Sequence, residues 1–262
     1  MQRTTPRLLL VLLALWLGPE VRADLGVTQL AGFAANDWQR GLWLFGGTSG
    51  TSINGGNVSL GTLTARGAYP GDVGVVACAC SSTSAATDCF PGSPPTGLTE
   101  IADQTNGGTT ARMSTSYVLA TSANVGTTIS CTGSGGSADA TVGTILVVRG
   151  VDQTTQIDVM TTTASGNSTN PDAASITPIT DSSILIDSCS SAVNDSSPGT
   201  VTNFATAAPG LQSNTANDTG TDQSIGMTSR VLANAGALNP AAWSAWSTAQ
   251  WVCSTVALRP AR

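Results

Sequence analysis

Two similar runs limit what this chain can fold into. The first is Gly71-Asp72-Val73-Gly74-Val75-Val76-Ala77-Cys78, which continues to Cys80 and follows Tyr69-Pro70. Pro presets φ for the second position of a type II turn, and Gly accepts the positive φ of the third, so Pro70-Gly71 reads as a turn. The small and β-branched residues after Asp72 carry no charge, as in a strand covered on both faces. The second run is Ser182-Ser183-Ile184-Leu185-Ile186-Asp187-Ser188-Cys189, with Cys189 in the place of Cys78.

The parallel extends in the same order and at nearly constant spacing. Thr96-Gly97-Leu98 matches Pro209-Gly210-Leu211. Met113 to Ala120 matches Met227 to Ala233, and Ile145-Leu146-Val147-Val148-Arg149-Gly150 matches Thr255-Val256-Ala257-Leu258-Arg259-Pro260. Each half thus offers a buried strand, a loop ending in Gly-Leu, a strand opened by Met and a closing strand ended by Arg. Short strand-like runs recur between Gly, Pro and Asn turns, and no long segment has a helical period. The expected fold is all-β: a two-sheet antiparallel sandwich, jelly-roll-like through two intertwined Greek keys, with pseudo-duplicated halves at about 62–150 and 175–260. Gly150–Ser175 is the polar, Thr-rich link between them. Upstream, Val27–Phe33 and Gly41–Phe45 read as strands, and Gly46–Gly56 as a Gly/Ser/Thr/Asn loop.

Residues 1–23 read as a signal peptide. Arg3 and Arg7 form a positive start, Leu8–Leu17 an apolar stretch short for a bilayer span, and Val21-Arg22-Ala23 a cleavage site. The remaining 24–262 suit one large all-β domain, with two separate small domains as the alternative. Only 10 % of the chain is charged, there is no Lys and no His, and the formal net charge is −6. Such a surface does not neutralise phosphates, so nucleic acid and anionic membranes are rejected as partners.

The six cysteines are Cys78, Cys80, Cys89, Cys131, Cys189 and Cys253. An even number behind an export signal reads as disulfides. Cys80–Cys89 is the most local pairing. Cys78 and Cys80 share a strand face, so only one of them readily reaches the 81–89 loop, and the other is free or bridges to a neighbouring strand.

The missing residue types exclude much chemistry. Without His or Lys, Ser-His-Asp, Cys-His and Ser-Lys sites cannot be built. There is no Gly-x-Ser-x-Gly elbow. Past residue 23 the only Glu is Glu100, so the paired glutamates of sandwich-fold glucanases are absent. The expectation is a non-enzyme without cofactor or metal. Asn217-Asp218-Thr219-Gly220-Thr221-Asp222 offers oxygen ligands to calcium but reads better as a solvated turn. Arg149 and Arg259, at matching strand ends, read as a structural ion pair or a carbonyl cap, with Asp72 or Asp152 near, rather than as a polar ligand contact. Asn57, Asn167, Asn194 and Asn217 begin glycosylation sequons that a Ser/Thr-rich chain produces by chance.

Trp243 and Trp246 are the candidate ligand-binding residues. In a strand they would face opposite ways, leaving one exposed unless a turn intervenes. An exposed Trp rimmed by Ser, Thr and Asn would suit a sugar; the competing reading is hairpin packing.

Five short motifs, in order and spacing, carry a resemblance: Pro70-Gly71-Asp72, Pro95-Thr96-Gly97-Leu98-Thr99, Tyr117 to Ala120, Arg149-Gly150-Val151-Asp152 and Ala257-Leu258-Arg259-Pro260. Over roughly residues 58–260 the chain resembles a family of β-sandwich proteins of bacteriophages, prophages and marine bacteria. The resemblance implies a virion-associated or exported surface protein with no assigned catalytic site. A signal peptide and six cysteines are departures from that family's pattern. The function expected is therefore a non-catalytic, exported structural or adhesive protein of a cell surface or virion, secreted or surface-held, with surface glycans or other copies of itself as partners. The alternative is a carbohydrate-binding module or lectin using the C-terminal tryptophans.

Overall fold

The computed structural model describes residues 43–52, 56–80, 89, 97–106, 111–132, 140–192, 215–216, 223–244 and 246–261, with side chains left aside at 43–52, 161–162 and 215–216. The expected leader 1–23, the strand at 27–33, the Pro209-Gly210-Leu211 match and the acidic loop 217–222 lie outside the described residues.

The architecture is all-β and antiparallel. The strands are β1 (Trp43–Ser52), β2 (Val58–Thr62), β3 (Val73–Cys80), β4 (Thr99–Thr105), β5 (Arg112–Leu119), β6 (Thr128–Cys131), β7 (Thr141–Arg149), β8 (Ile157–Ser168), β9 (Ile184–Ser191), β10 (Thr215–Ala216), β11 (Ser224–Val231) and β12 (Ala249–Leu258). One five-stranded sheet has the order β1-β7-β3-β5-β4, a second the order β10-β11-β9-β12-β8, and β2 pairs with β6 in a two-stranded cover.

The Pro70-Gly71 turn forms as its chemistry requires. Gly71 has φ of 100°, and the Asp72 N–H donates to the Tyr69 carbonyl at 3.0 Å. The turn launches β3, the central strand of its sheet, which is buried along its whole length. Its counterpart β9 is likewise central and wholly buried.

Burial on both faces follows from the layering. Val73, Val75 and Met113 of the first sheet pack with Ile184, Ile186 and Met227 of the second in one core, so the two sheets stack as a sandwich. Alternate residues of β3 point the other way. Val76, Cys78 and Cys80 pack with Leu60, Ile129 and Cys131 under the β2–β6 cover. On the far side, Leu185 and Cys189 pack with Ala173, Ile176 and the three tryptophans 243, 246 and 251. Apolar material on both faces is why these strands read as continuous rather than alternating runs.

Two expectations need correction. The sheets do not interleave as intertwined Greek keys would: every strand of the first sheet lies between Trp43 and Arg149, and every strand of the second between Ile157 and Leu258. Most of the supposed loop 46–56 is strand instead. β1 runs to Ser52 and pairs with β7 from Trp43↔Arg149 to Ser52↔Thr141, with a bulge between Phe45 and Gly47. Gly is disfavoured in strands, but the ladder to a buried neighbour outweighs it.

Candidate functional site

Three clusters gather the charged and aromatic side chains singled out above. The first lies where the Pro70-Gly71 turn meets the end of β7. Asp72 is 3 % exposed. The Arg149 guanidinium donates from Nε to Oδ1 at 2.8 Å and from Nη2 to Oδ2 at 2.7 Å, and Nη2 also reaches the Gly67 carbonyl at 3.3 Å. The Tyr69 N–H donates to Oδ2 of the same carboxylate at 2.8 Å. Arg149 also sits over the Tyr69 ring, 4.9 Å from its centroid. The hydrogen-bonded carboxylate raises the Arg149 guanidinium above its ordinary value, against the effect of burial. This is the structural ion pair expected of Arg149: it joins the start of β3 to the end of β7.

The second cluster repeats the pairing with different parts. Arg259 Nε approaches Asp158 Oδ1 at 3.3 Å. Asp158 comes from β8, whereas Asp72 immediately precedes β3; Ser183, which precedes β9, donates its hydroxyl to the Thr180 carbonyl at 2.6 Å and stands 3.3 Å from Asp158 Oδ2. The same carboxylate accepts the backbone N–H of Ile179 at 2.8 Å and of Thr180 at 3.1 Å, and the Thr180 hydroxyl. Burial works to raise this acid, but the hydrogen bonds from Thr180, Ile179 and Arg259 prevail and hold it below the usual carboxylate range. The partner of Arg259 is thus Asp158, which the sequence reading did not single out.

The third cluster is the tryptophan layer over the second sheet. Residues 241–244 and 246–247 form no strand, so the alternation that would expose one ring does not operate. Trp243 is 0 % and Trp246 3 % exposed. They meet edge to face, with centroids 5.8 Å apart. A Cβ at Gly226 of β11 would lie 2.6 Å from the Trp243 ring, and one at Gly166 of β8 would lie 2.5 Å from the Trp251 ring. Glycine at these two strand positions lets the rings sit directly on the backbone. The expectation that Trp243 or Trp246 presents an exposed sugar-stacking face is therefore corrected: both are core side chains of the outer layer.

Beneath this layer lies a group that the sequence reading passed over. Asp187, in the middle of β9, is 0 % exposed. The Trp243 indole N–H donates to its Oδ2 at 3.0 Å. Among the described residues no hydrogen bond reaches Oδ1, and none reaches the Trp246 indole nitrogen or the Thr255 hydroxyl. Thr255 stands opposite Asp187 on β12, close enough to favour the charged form yet outside hydrogen-bond geometry. Burial pushes the carboxyl up to about 7; the Trp243 hydrogen bond and Thr255 oppose the rise, and the negative charge of Asp172 adds to it. The signal was present in the sequence: an acid inside an apolar run, where the matching position of the first half holds Val76.

All six cysteines are paired. Cys80 bonds to Cys89, Cys78 to Cys131 and Cys189 to Cys253. Cys80 thus takes the local partner, and Cys78 reaches outward to β6. Cys189 and Cys253 face each other across the β9–β12 ladder. Disulfides of this kind belong to an oxidising, extracellular type of environment. Among the described residues no three acidic or cysteine side chains converge as metal ligands would, and no helix is long and apolar enough to cross a membrane. Glu100 lies exposed on β4. Of the sequons, Asn57 and Asn167 are exposed, and Asn194 and Asn217 lie outside the described residues.

No protein-family model matches the chain, and no curated protein or solved structure is significantly similar to it.

Proposed function

We propose that this chain is a non-catalytic, exported β-sandwich with a structural or adhesive role at a cell surface or on a virion. The observation that carries the reading is the placement of the disulfides. They brace both central strands, β3 and β9, one to the outer cover and one within its sheet. Cross-links at the centre of each sheet suit a protein that must keep its shape outside a cell. The arginine–carboxylate pairs hold strand ends, and the lack of His and Lys removes the common nucleophile–base sites. The resemblance to phage and marine-bacterial sandwich proteins agrees with this role.

The two halves read as copies of one ancestral unit. Read from the opposite edge, the second sheet runs β8-β12-β9-β11-β10, so β12, β9 and β11 take the places that β7, β3 and β5, whose sequences they parallel, hold in β1-β7-β3-β5-β4. β7 lies against β11 and β4 against β8 across the sandwich, the arrangement an isologous pair would adopt about a pseudo-twofold axis between β3 and β9.

The test is electron microscopy of the purified, oxidised protein together with binding to intact cells and a glycan array. Regular assemblies or cell binding support the reading. A reproducible hydrolytic rate that is lost on changing a single aspartate would overturn it.

A further inference from the structure

We propose that the side of β1 facing away from β7 is an interaction surface for a second copy of this chain, with the two β1 strands pairing antiparallel about a twofold axis. The inference deepens the structural role proposed above, on which it rests, by naming the surface and the partner. β1 pairs with β7 along one side, and among the described residues no strand pairs with it on the other. In an antiparallel ladder successive residues turn their N–H and C=O groups alternately towards the partner and away from it. An edge strand therefore offers a row of donors and acceptors to any strand that reaches it.

The other described edges are blocked, charged or short. On β8 the Ala164 carbonyl accepts the Gln104 side-chain amide at 2.8 Å, and the Gly166 carbonyl accepts that of Asn106. The register of β8 with β12 also breaks twice between Ile157 and Thr162. β4 carries the exposed acids Glu100 and Asp103 and a bulge between Glu100 and Ala102. Like charges and bulges are the devices that keep sheet edges from pairing with one another. β10 spans two residues, and β2 and β6 of the cover span five and four.

β1 lacks these devices over most of its length. It is ten residues long, and its one irregularity against β7 lies between Phe45 and Gly47. From Gly47 to Ser52 the ladder is unbroken. The strand contains no proline, and the sequence has no charged residue from Gly41 to Ala65. β10, which flanks β1 across the sandwich, is too short to cover it.

Charge selects a second copy as the partner. The chain carries a formal net charge of −6, so two copies repel one another, and they do so least where neither brings a charge. β1 is such a stretch, and β7 behind it is uncharged from Thr141 to Val148. Antiparallel pairing of a strand with its own copy is isologous: it uses the same surface twice and closes at two chains. The product is a continuous sheet of ten strands, five from each copy.

The test takes the oxidised wild-type protein through a concentration series, with its mass measured by light scattering and its hydrogen exchange by mass spectrometry on the same samples. The mass should rise from one chain to two. Exchange of the faster amides of residues 43–52 should slow roughly tenfold or more in step with it, while 99–105 and 157–168 stay unchanged. A protein that remains monomeric up to about 1 mM, the weak end of specific association, overturns the proposal. So does a dimer in which 43–52 exchanges as in the monomer, and so does full protection of 43–52 in the monomer, which would mean that the chain covers this edge itself. Cell or glycan binding by a strictly monomeric protein overturns the pairing and leaves the surface role standing. A β1-paired dimer that binds neither supports the pairing and removes the adhesive role.

Discussion

Arg149 and Asp72 meet through two parallel hydrogen bonds, Nε to Oδ1 at 2.8 Å and Nη2 to Oδ2 at 2.7 Å. The geometry is the bidentate fork that only arginine supplies. Asp72 also accepts the Tyr69 N–H and its own N–H closes the turn onto the Tyr69 carbonyl. One carboxylate therefore fixes the entry to β3 and the exit from β7, two strands neighbouring in space and far apart in the chain.

Removing the arginine should cost more than removing a typical surface partner. The Asp72 side chain is 4 % exposed and that of Arg149 32 %. Arg149→Ala strands a buried carboxylate and should destabilise the fold by about 3 kcal/mol. Arg149→Lys keeps the charge, loses the fork, and should cost roughly 1–2 kcal/mol. Urea denaturation at neutral pH measures both, and equal losses for the two variants would contradict the bidentate role.

Gly143 and Cys131 make a second coupled pair. A Cβ at Gly143 would lie 2.2 Å from the Cys131 sulfur, and Cys78, the bonded partner of Cys131, is the residue opposite Gly143 across the β3–β7 ladder. Gly143→Ala should destabilise by about 1–3 kcal/mol through overpacking and leave free thiol detectable by alkylation. In a Cys131→Ala background, which itself loses a bridge worth about 4 kcal/mol on the chain-entropy scale, the same glycine change should be nearly neutral. A double-mutant cycle reads that coupling directly.

The contrast between these sites shows what was legible beforehand. The Pro70-Gly71-Asp72 turn, the buried run of β3 and its counterpart β9 depend on local chemistry and on unbroken apolar patterning, both visible along the chain. The strand content of 46–52 was hidden, because its Gly, Ser and Thr look like a loop until β7 supplies hydrogen-bond partners. The gathering of the strands from Trp43 to Arg149 into one sheet and those from Ile157 to Leu258 into another was also hidden: similar runs of sequence do not say which strands lie in the same layer. Cys80–Cys89 could be favoured from proximity, whereas Cys78–Cys131 requires knowing that β6 covers β3. The tryptophans were misplaced because their exposure depends on a segment that leaves strand alternation altogether. Asp187 was there to be noticed as the acid that interrupts an apolar strand.

Burial of the tryptophans makes a prediction opposite to that of a sugar platform. Trp243→Ala should cost about 3–5 kcal/mol through loss of a fully buried ring and the cavity left over Gly226, and Trp246→Ala a comparable amount. Glycan binding, if any is measured, should change only as far as the folded fraction changes. Unaltered melting temperatures in both variants would contradict the core placement.

The two buried aspartates of the second half should give stability opposite dependences on pH. Asp158 sits below its unfolded value because Thr180, Ile179 and Arg259 donate to its charged form. Its contribution is present above an unfolded value near 3.8 and is lost as pH falls through the lower folded value. Asp187 is raised from 3.8 to about 7 by burial, so the folded state holds a proton that the unfolded state has released. Stability from this group therefore declines as pH rises between those values and levels off above the higher one. Asp187→Asn removes the decline. It should match the wild type most closely near pH 4 and exceed it on the alkaline side by an amount on the order of 4 kcal/mol at most. Asp158→Asn should show the reverse pattern, losing stability at neutral pH and converging on the wild type in acid. Guanidinium denaturation of all three proteins across that range measures both curves. A wild-type profile that rises steadily from acid to alkali, with Asp187→Asn parallel to it, would exclude a raised acid at this position.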